Sequence, residues 1–353
     1  MNKRLLSLML AALLALSGCS ARAEEEGPKR YEASFLTLFD TVTTVVGYAW
    51  REEDFRVAAQ ELHDQLLEYH RLFDIYNSYE GVSNLKTVND SAGQAPVRVD
   101  QKIIDLLLAC RELYGVTQGR VNVAMGSVLS LWHDYREAGT AHPEQAALPP
   151  MEALEEAARH TAIEDLVIDE RASTVYLADP DMRLDVGAVA KGYAAQRVAE
   201  ACRAQGYGSM LISVGGNVCA IGGQDSAGKP WTVAVTDPSG ERPYLHALAV
   251  ADATLVTSGS YQRQYTVDGK SYHHIIDPDT LMPAAYFTSV TVLAEDSGCA
   301  DALSTALFIL PYGEGAALAA SLDGVEALWV ETDGTQHMTD GFRAALVDEA
   351  LKK

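Results

Sequence analysis

Asp301 and Thr305 are candidate functional residues, because they lie four residues apart in an otherwise apolar segment. Residues at this spacing share one face of a helix, so a carboxylate and a hydroxyl would lie one turn apart. Oxygen ligands of this kind bind Mg²⁺ or Ca²⁺, which makes the pair a candidate metal site. A simpler interpretation also fits: Asp301 would favour the positive end of the helix dipole, and Thr305 would have no special role.

A glycine turn within residues 184–195 (LDVGAVAKGYAA) is a second candidate. The pattern predicts a strand at residues 184–186 with Asp185 near its end, a turn at Gly187 and then a helix. A turn of this kind directs free backbone N–H groups at an anion, and Lys191 adds a positive charge. The alternative is an ion pair between Asp185 and Lys191 with no ligand involved.

Two adjacent histidines, His273 and His274, lie on a predicted strand, where their side chains point to opposite faces. Only one can enter a given site, and a lone histidine is more often a structural hydrogen-bonding group. The nearby Asp277 and the downstream Asp301 favour a proton-transfer role for one of the two. A metal pair, an anion-binding turn and a histidine together indicate phosphoryl or pyrophosphate chemistry. The sequence contains neither a Walker A loop nor GxGxxG, so neither common nucleotide-binding motif applies.

The helix that would carry the metal pair follows a strand predicted over residues 289–293. Asp296 or Ser297 can cap this helix, which should end before Pro311. Its apolar residues recur at helical spacing and predict a buried stripe, formed by Leu303, Leu307 and Leu310.

Helices are predicted early in the chain and strands later. Residues 34–48 predict a hairpin that bends at Phe39 and Asp40, and residues 55–76 predict an amphipathic helix. Residues 77–90 are predicted to form a polar loop. Because strands and helices alternate little, we expect an α+β fold with an antiparallel sheet and packed helices, in one domain over residues 31–353.

The first thirty residues are not expected to belong to the fold. An apolar run over residues 5–16 follows two basic residues and is too short to span a bilayer. It ends in Leu-Ser-Gly-Cys, which looks like a bacterial lipobox. Residues 1–18 would then be a lipoprotein signal peptide, Cys19 the lipidated N-terminus and residues 19–30 a flexible tether. The rival cleavage site at residues 21–23 (ARA) would give a freely secreted protein.

Composition narrows the choice of partners. The chain has 353 residues and a net charge of −22, which argues against nucleic acid because such a partner needs a basic face. The cysteines beyond the lipobox form no CxxC pair, so no zinc site is expected. The sequence does not determine whether any of these cysteines pair with one another: Cys110, Cys202, Cys219 and Cys299.

Several stretches in order along the chain resemble the ApbE family, the FAD:protein FMN transferases. Many members of that family are lipoproteins, which agrees with the lipobox. The stretches that carry the resemblance are residues 38–41 (LFDT), 117–131 (TQGRVNVAMGSVLSL), 184–193 (LDVGAVAKGY), 214–217 (VGGN), 257–263 (TSGSYQR), 274–278 (HIIDP) and 300–307 (ADALSTAL).

The resemblance implies a T-fold-like α+β domain that binds FAD with Mg²⁺. It implies cleavage of the FAD pyrophosphate and transfer of FMN to a threonine hydroxyl of a partner flavoprotein, with release of AMP. The implied Mg²⁺ ligands are Asp301, Thr305 and the backbone carbonyl of Ala188, while Asp185 and Lys191 would hold the nucleotide. The residues implied to line the flavin or adenine pocket are Phe39, Tyr76, Arg120, Val121, Asn122 and Ile276.

The resemblance also gives His274 the role of proton acceptor for the incoming hydroxyl, with Asp301 polarising the site through the metal. The implied acceptors are subunits of membrane redox pumps or reductases outside the cytoplasm. With a lipidated Cys19, the protein would be anchored at the extracytoplasmic face of the cell membrane.

The chain departs from the usual family pattern at four positions. Ala188 stands where a second glycine is common, and a carbonyl ligand is indifferent to that change. Asn122 stands where aspartate is frequent, Leu281 replaces a frequent glycine after DPxT, and Ser213 replaces an asparagine before VGGN. None of these departures removes an implied metal ligand.

Two other functions remain compatible with the sequence. The same site with water as the acceptor would be a metal-dependent FAD pyrophosphatase that gives FMN and AMP. Without any reaction, the chain would be a lipid-anchored flavin-binding protein.

Overall fold

The computed structural model describes residues 27–225 and 227–347. The lipobox, Cys19 and the rival cleavage site therefore lie outside the described residues. Within the described ranges, no helix combines the length and the apolar character that crossing a bilayer requires.

The strands and helices occur in an order that matches the expected shift from helices to strands. The strands are β1 (Lys29–Leu38), β2 (Thr41–Ala49), β3 (Val97–Arg98), β4 (Leu166–Asp169), β5 (Thr174–Leu177), β6 (Met210–Val214), β7 (Asn217–Ile221), β8 (Trp231–Val235), β9 (His246–Val250), β10 (Thr254–Gly259), β11 (Gln264–Val267), β12 (Lys270–His273), β13 (Phe287–Ala294), β14 (Glu326–Glu331) and β15 (Gln336–Met338). The helices are α1 (Glu52–Phe73), α2 (Leu85–Asp90), α3 (Gln101–Val116), α4 (Gly126–Ala141), α5 (Met151–Ala157), α6 (Ala190–Ala204), α7 (Ser297–Ile309), α8 (Tyr312–Ala320) and α9 (Asp340–Ala344).

Eight of the strands form one antiparallel sheet in the order β1-β2-β6-β7-β10-β13-β14-β15. Helices α1, α6 and α7 cover one face of this sheet, and the β8–β9 hairpin with α9 covers the other. Strand alternation assigns neighbouring residues to the two faces: Val45 packs among the helices and Val46 against the hairpin. The expected α+β fold with an antiparallel sheet is confirmed.

The predicted hairpin at the start of the chain is present, with Phe39 and Asp40 at its bend. Both residues have left-handed backbone angles, with φ of 51° and 52°, which a two-residue turn between twisted strands requires. Strand β1 begins at Lys29 and pairs with β2, so the last two residues of the predicted tether belong to the sheet. The amphipathic helix is also confirmed, as α1 buries Leu62, Leu66 and other apolar residues against the sheet.

Two local predictions were wrong. Residues 77–90 are not wholly a loop, because α2 forms within them with Asn84 as its N-cap, accepting the Thr87 N–H. Residues 184–186 are not a strand of any sheet. There the Leu184 N–H and carbonyl bond the buried Asn89 side chain, and the Asp185 N–H bonds the Val123 carbonyl. Loop contacts thus satisfy the extended backbone that a strand partner would otherwise satisfy.

Leu281, at the position where the resemblance implies a glycine, has a left-handed backbone conformation with φ of 60°. Packing compensates for the strain, because its side chain is buried in a cluster that includes Trp132. The Trp132 indole also donates a hydrogen bond of 2.9 Å to the Leu281 carbonyl. A leucine therefore occupies a backbone conformation that glycine adopts more readily.

Candidate active site

Every residue that the sequence predicted for the site lines one cavity of about 430 Å³. The cavity lies among the tip of the β1–β2 hairpin, the start of α6, the end of β10 and one face of α7. Its lining includes Phe39, Tyr76, Arg120, Val121, Asn122, Asp185, Ala188, Lys191, His274, Ile276, Asp301 and Thr305.

Asp301 and Thr305 share the cavity face of α7, as their spacing predicted. The helix dipole does not explain Asp301, because Asp296 caps α7 through the Cys299 N–H and Asp301, the fifth helical residue, already lies beyond the first turn. Asp301 is 4% exposed, and burial raises the pKa of its carboxyl group. The positive charge of Lys191 and a hydrogen bond from the Gly192 N–H oppose that rise.

The start of α6 is built around this carboxylate. The Gly192 N–H, which in a regular helix would donate to the Ala188 carbonyl, donates instead to Asp301 Oδ2 at 2.9 Å. No described residue donates a hydrogen bond to the Ala188 carbonyl. The carbonyl that family resemblance names as a metal ligand is therefore left free at the cavity wall.

Glycine at position 192 makes this approach possible. A Cβ there would lie 2.6 Å from the Asp301 Cβ and 2.2 Å from the Ser297 carbonyl oxygen. No side chain fits at these distances without displacing α7. Gly192 therefore sets the contact between the two helices that carry the candidate ligands.

The donor set fits a small hard cation. One buried carboxylate, one hydroxyl and one free backbone carbonyl line the same cavity, and Mg²⁺ is typically bound by one or two carboxylates with other oxygen ligands. A buried carboxylate is stabilised by a nearby positive charge, which a cation would add to that of Lys191. Asp301, Thr305 and Ala188 are the residues that could hold such an ion.

A different cluster also groups metal-ligand types in the described ranges. His160, Asp179 and Asp181 bring ligand atoms within 4.8 Å of one another but are not among the residues that line the cavity. His160 Nδ1 lies 2.7 Å from Asp179 Oδ2, and this hydrogen bond raises the pKa of His160. His160 and Asp179 therefore have each other as partners.

Asp185 and Lys191 do not form the ion pair that was the simpler interpretation of their spacing. Lys191 Nζ donates to the Gly187 carbonyl at 3.3 Å, and Asp185 Oδ1 accepts the Gly187 N–H at 2.8 Å. Burial raises the pKa of Asp185, and the hydrogen bond from the Gly187 N–H and nearby positive charges only partly oppose that rise. Because they do not pair with each other, the Asp185 and Lys191 side chains can both interact with a ligand in the cavity.

The two histidines separate into a structural and a cavity-facing residue. His273 Nε2 lies 2.8 Å from the Ala284 carbonyl, its Nδ1 accepts the Ile275 N–H, and its ring packs edge-on against Phe308. His274 follows the end of β12 and lines the cavity. Burial, and to a smaller extent the positive charge of Arg263, lowers the pKa of His274 to about 3. The ring is therefore neutral near pH 7.

The residues assigned to the flavin or adenine pocket have varied contacts. Tyr76 is 52% exposed and stacks on His133 with ring centroids 4.9 Å apart, a flat aromatic surface at the cavity edge. The Phe39 N–H donates to His70 Nδ1. Arg120 pairs with Asp277 and Asp279.

Asn122 has both ends of its amide bonded within the protein. Its Nδ2 donates to the Thr161 carbonyl, and its Oδ1 accepts the Ala124 N–H. These bonds fix the loop beneath the cavity, whereas Val121 and Ile276 contribute buried apolar surface.

Among the residues that sequence reasoning did not single out, four adjoin Asp301 or bring polar groups into the cavity. Gly192 and Asn217 adjoin Asp301, and the Asn217 amide lowers the Asp301 pKa although its Nδ2 makes no hydrogen bond of good geometry. Ser258 and Arg263 line the cavity, and Arg263 has no hydrogen-bond or ion-pair partner among the described residues. All four belong to stretches that carried the family resemblance, which was the available signal.

Comparisons with known proteins identify the family of the chain. The ApbE family matches residues 39–329. The FAD:protein FMN transferase of Treponema pallidum is 32% identical over 93% of this chain and 91% of its own length. That of Escherichia coli K12 is 28% identical over 97% of each chain.

Solved structures show the same architecture. The ApbE protein of Thermotoga maritima superposes with a TM-score of 0.79 at 27% identity, over 91% of this chain and all of that one. The flavin transferase ApbE of Vibrio cholerae gives a TM-score of 0.75 at 25% identity, over 90% of this chain and all of that one. With its fold, its cavity and the match over most of its length, the chain belongs to the ApbE family.

Proposed function

We propose that the protein is an FAD:protein FMN transferase that uses Mg²⁺ to cleave the pyrophosphate of FAD. FMN passes to a threonine hydroxyl of an acceptor flavoprotein, and AMP is released. Support comes from the family match and from curated relatives that carry this activity in their names. The use of Mg²⁺ and the roles of single residues are inferred from the residues that line the cavity.

The observation that carries the proposal is the free carbonyl of Ala188, a residue that lines the same cavity as Asp301 and Thr305. These three oxygen groups would hold Mg²⁺. A bound Mg²⁺ supplies positive charge that neutralises pyrophosphate oxygens. An exposed surface carboxylate would need no such arrangement of neighbours.

The remaining charged groups of the cavity suit an anionic substrate. Lys191 lies at the start of α6, and Arg263 has no partner in the described part of the chain, so both can bind phosphate oxygens. The Tyr76–His133 stack offers an aromatic face to the flavin or adenine ring.

His274 is the group that accepts the proton of the incoming hydroxyl. The threonine oxygen forms a bond to the phosphorus of the FMN half, and the bond from that phosphorus to the bridging oxygen breaks, so AMP leaves with that oxygen. A neutral imidazole has one free lone pair for the threonine proton. The lowered pKa keeps His274 in this neutral form near pH 7.

The protein would act outside the cytoplasm, anchored to the cell membrane through a lipidated Cys19. Support comes from the sequence around that residue. Its acceptors would be membrane redox-pump subunits or extracytoplasmic reductases that carry a target threonine.

One incubation separates this function from its two alternatives. The protein is mixed with FAD, Mg²⁺ and a candidate acceptor, alongside an acceptor whose target threonine is replaced by alanine. Flavin fluorescence on the denatured acceptor, absent from the alanine variant and matched by released AMP, identifies a transferase. AMP without the adduct identifies a pyrophosphatase. FAD binding without either product identifies a flavin-binding protein.

A further inference from the structure

Three hydroxyl groups lie in contact beside the candidate metal ligands. Ser258 Oγ, at the end of β10, lies 2.8 Å from Ser304 Oγ and 3.3 Å from Thr305 Oγ1. Ser304 Oγ donates to the backbone carbonyl of Asp301 at 2.9 Å. Ser304 is fully buried, whereas Ser258 and Thr305 line the cavity.

Hydrogen counting fixes the direction of these bonds. A carbonyl oxygen only accepts, so the single hydroxyl hydrogen of Ser304 is used on Asp301. The 2.8 Å contact must therefore use the hydrogen of Ser258. Ser258 then has no hydrogen left, and the contact at 3.3 Å must use the hydrogen of Thr305. The chain of donation runs from Thr305 through Ser258 and Ser304 to the Asp301 carbonyl.

This direction has a consequence for Thr305. Its hydrogen points at Ser258, so its lone pairs are free toward other partners. A hydroxyl that binds a cation must offer a lone pair and turn its hydrogen away. Without an acceptor for that hydrogen, the hydroxyl could rotate and present the hydrogen to the cation instead.

We propose that Ser258 is a positioning residue that orients the Thr305 hydroxyl for Mg²⁺. This inference rests on the proposed function, because it takes Thr305 as a ligand. Ser258 itself need not touch the ion. The bond from Thr305 to Ser258 is longer than the usual O–H···O distance, so we expect a modest effect.

The test measures Mg²⁺ binding rather than turnover. The melting temperature of the FAD-loaded protein is followed as a function of MgCl₂ concentration, without an acceptor protein. Ser258→Ala should raise the Mg²⁺ concentration at half-effect about two- to tenfold, the range for loss of one neutral hydrogen bond. Ser258→Thr keeps the hydroxyl and should restore the wild-type value. Ser260→Ala removes a nearby hydroxyl that bonds the Thr288 carbonyl outside the cavity, and should leave the value unchanged.

A double-mutant cycle decides whether Ser258 acts through Thr305. In a Thr305→Val background, Ser258→Ala should have almost no further effect on the Mg²⁺ titration. An equal effect of Ser258→Ala in both backgrounds, or an effect no larger than that of Ser260→Ala, would overturn the inference. If the wild-type protein itself shows no response to Mg²⁺, the metal part of the proposed function fails instead.

Discussion

Replacing Gly192 with alanine tests how the two ligand-bearing helices are held. The new Cβ would lie 2.2 Å from the Ser297 carbonyl oxygen, whereas ordinary contacts begin at 3.4 Å. The helices α6 and α7 must then separate locally by about 1 Å, because packed interiors contain few voids. Overpacking of this kind lowers the free energy of unfolding by ~1–3 kcal/mol. The better helix propensity of alanine offsets ~1 kcal/mol of that loss.

The same displacement should break the bond from the Gly192 N–H to Asp301 Oδ2. The Ala188 carbonyl and the Asp301 carboxylate would then lose their relative placement, and a misplacement of about 1 Å can lower turnover ~100-fold. Urea denaturation measures the stability, and AMP release as a function of Mg²⁺ concentration measures the site. We expect Gly192→Ala to be destabilised by ~1 kcal/mol net and to need more Mg²⁺.

Gly115 provides a matched control. It also lies in a helix, but a Cβ at this position would meet nothing within 4 Å. Gly115→Ala should raise the free energy of unfolding by ~0.4–1 kcal/mol and leave the Mg²⁺ dependence unchanged. If Gly192→Ala instead behaves like Gly115→Ala in both assays, the close contact between α6 and α7 does not position Asp301.

Four further predictions concern the same site and the N-terminus. His274→Ala should bind FAD but transfer FMN at least ~100-fold more slowly, the lower end of the range for general-base catalysis. His273→Ala should change turnover far less; equal, small effects of both substitutions would contradict the base assignment. Because burial lowers the pKa of His274 to about 3, the ring stays unprotonated as pH falls from 8 to 5. A plot of kcat/KM against pH should therefore show no acid limb near 6.5, and a limb there would refute the neutral-base argument. Asp301→Ala should abolish AMP release in Mg²⁺ with the fold retained by circular dichroism, while Thr305→Ala should be milder because water can replace a neutral ligand. Full turnover of the Asp301→Ala variant would contradict the assignment of Asp301 as a Mg²⁺ ligand. Cys19→Ala should release the protein from membranes or block its processing, as fractionation and mass spectrometry would show; a normally processed variant that stays with membranes would exclude the anchor.

Local periodicity predicted most elements, because each depends on residues close in sequence. The hairpin with its bend at Phe39 and Asp40 was predicted from the β-branched and aromatic residues around it. The four-residue spacing of Asp301 and Thr305 predicted that they share one face of α7, without knowledge of the residues that pack around them. Where neighbours supplied the hydrogen bonds, the same reasoning failed: residues 184–186 are held by the Asn89 side chain, far away in the chain.

The sequence by itself determined the family, the class of fold and the identity of the candidate ligands, since these depend on motifs and on local pattern. Only the tertiary structure decided which hydrogen bonds orient the candidate ligands or leave them free. The Gly192 N–H is taken by a carboxylate 109 residues away, which frees the Ala188 carbonyl, and the hydroxyl of Ser258 meets Thr305 across 47 residues. Periodicity predicts which residues share a face of a helix or strand, but the packing of the whole core fixes which faces meet. Each N–H or O–H group also has only one hydrogen to donate, so its partner depends on which acceptor the packing brings close.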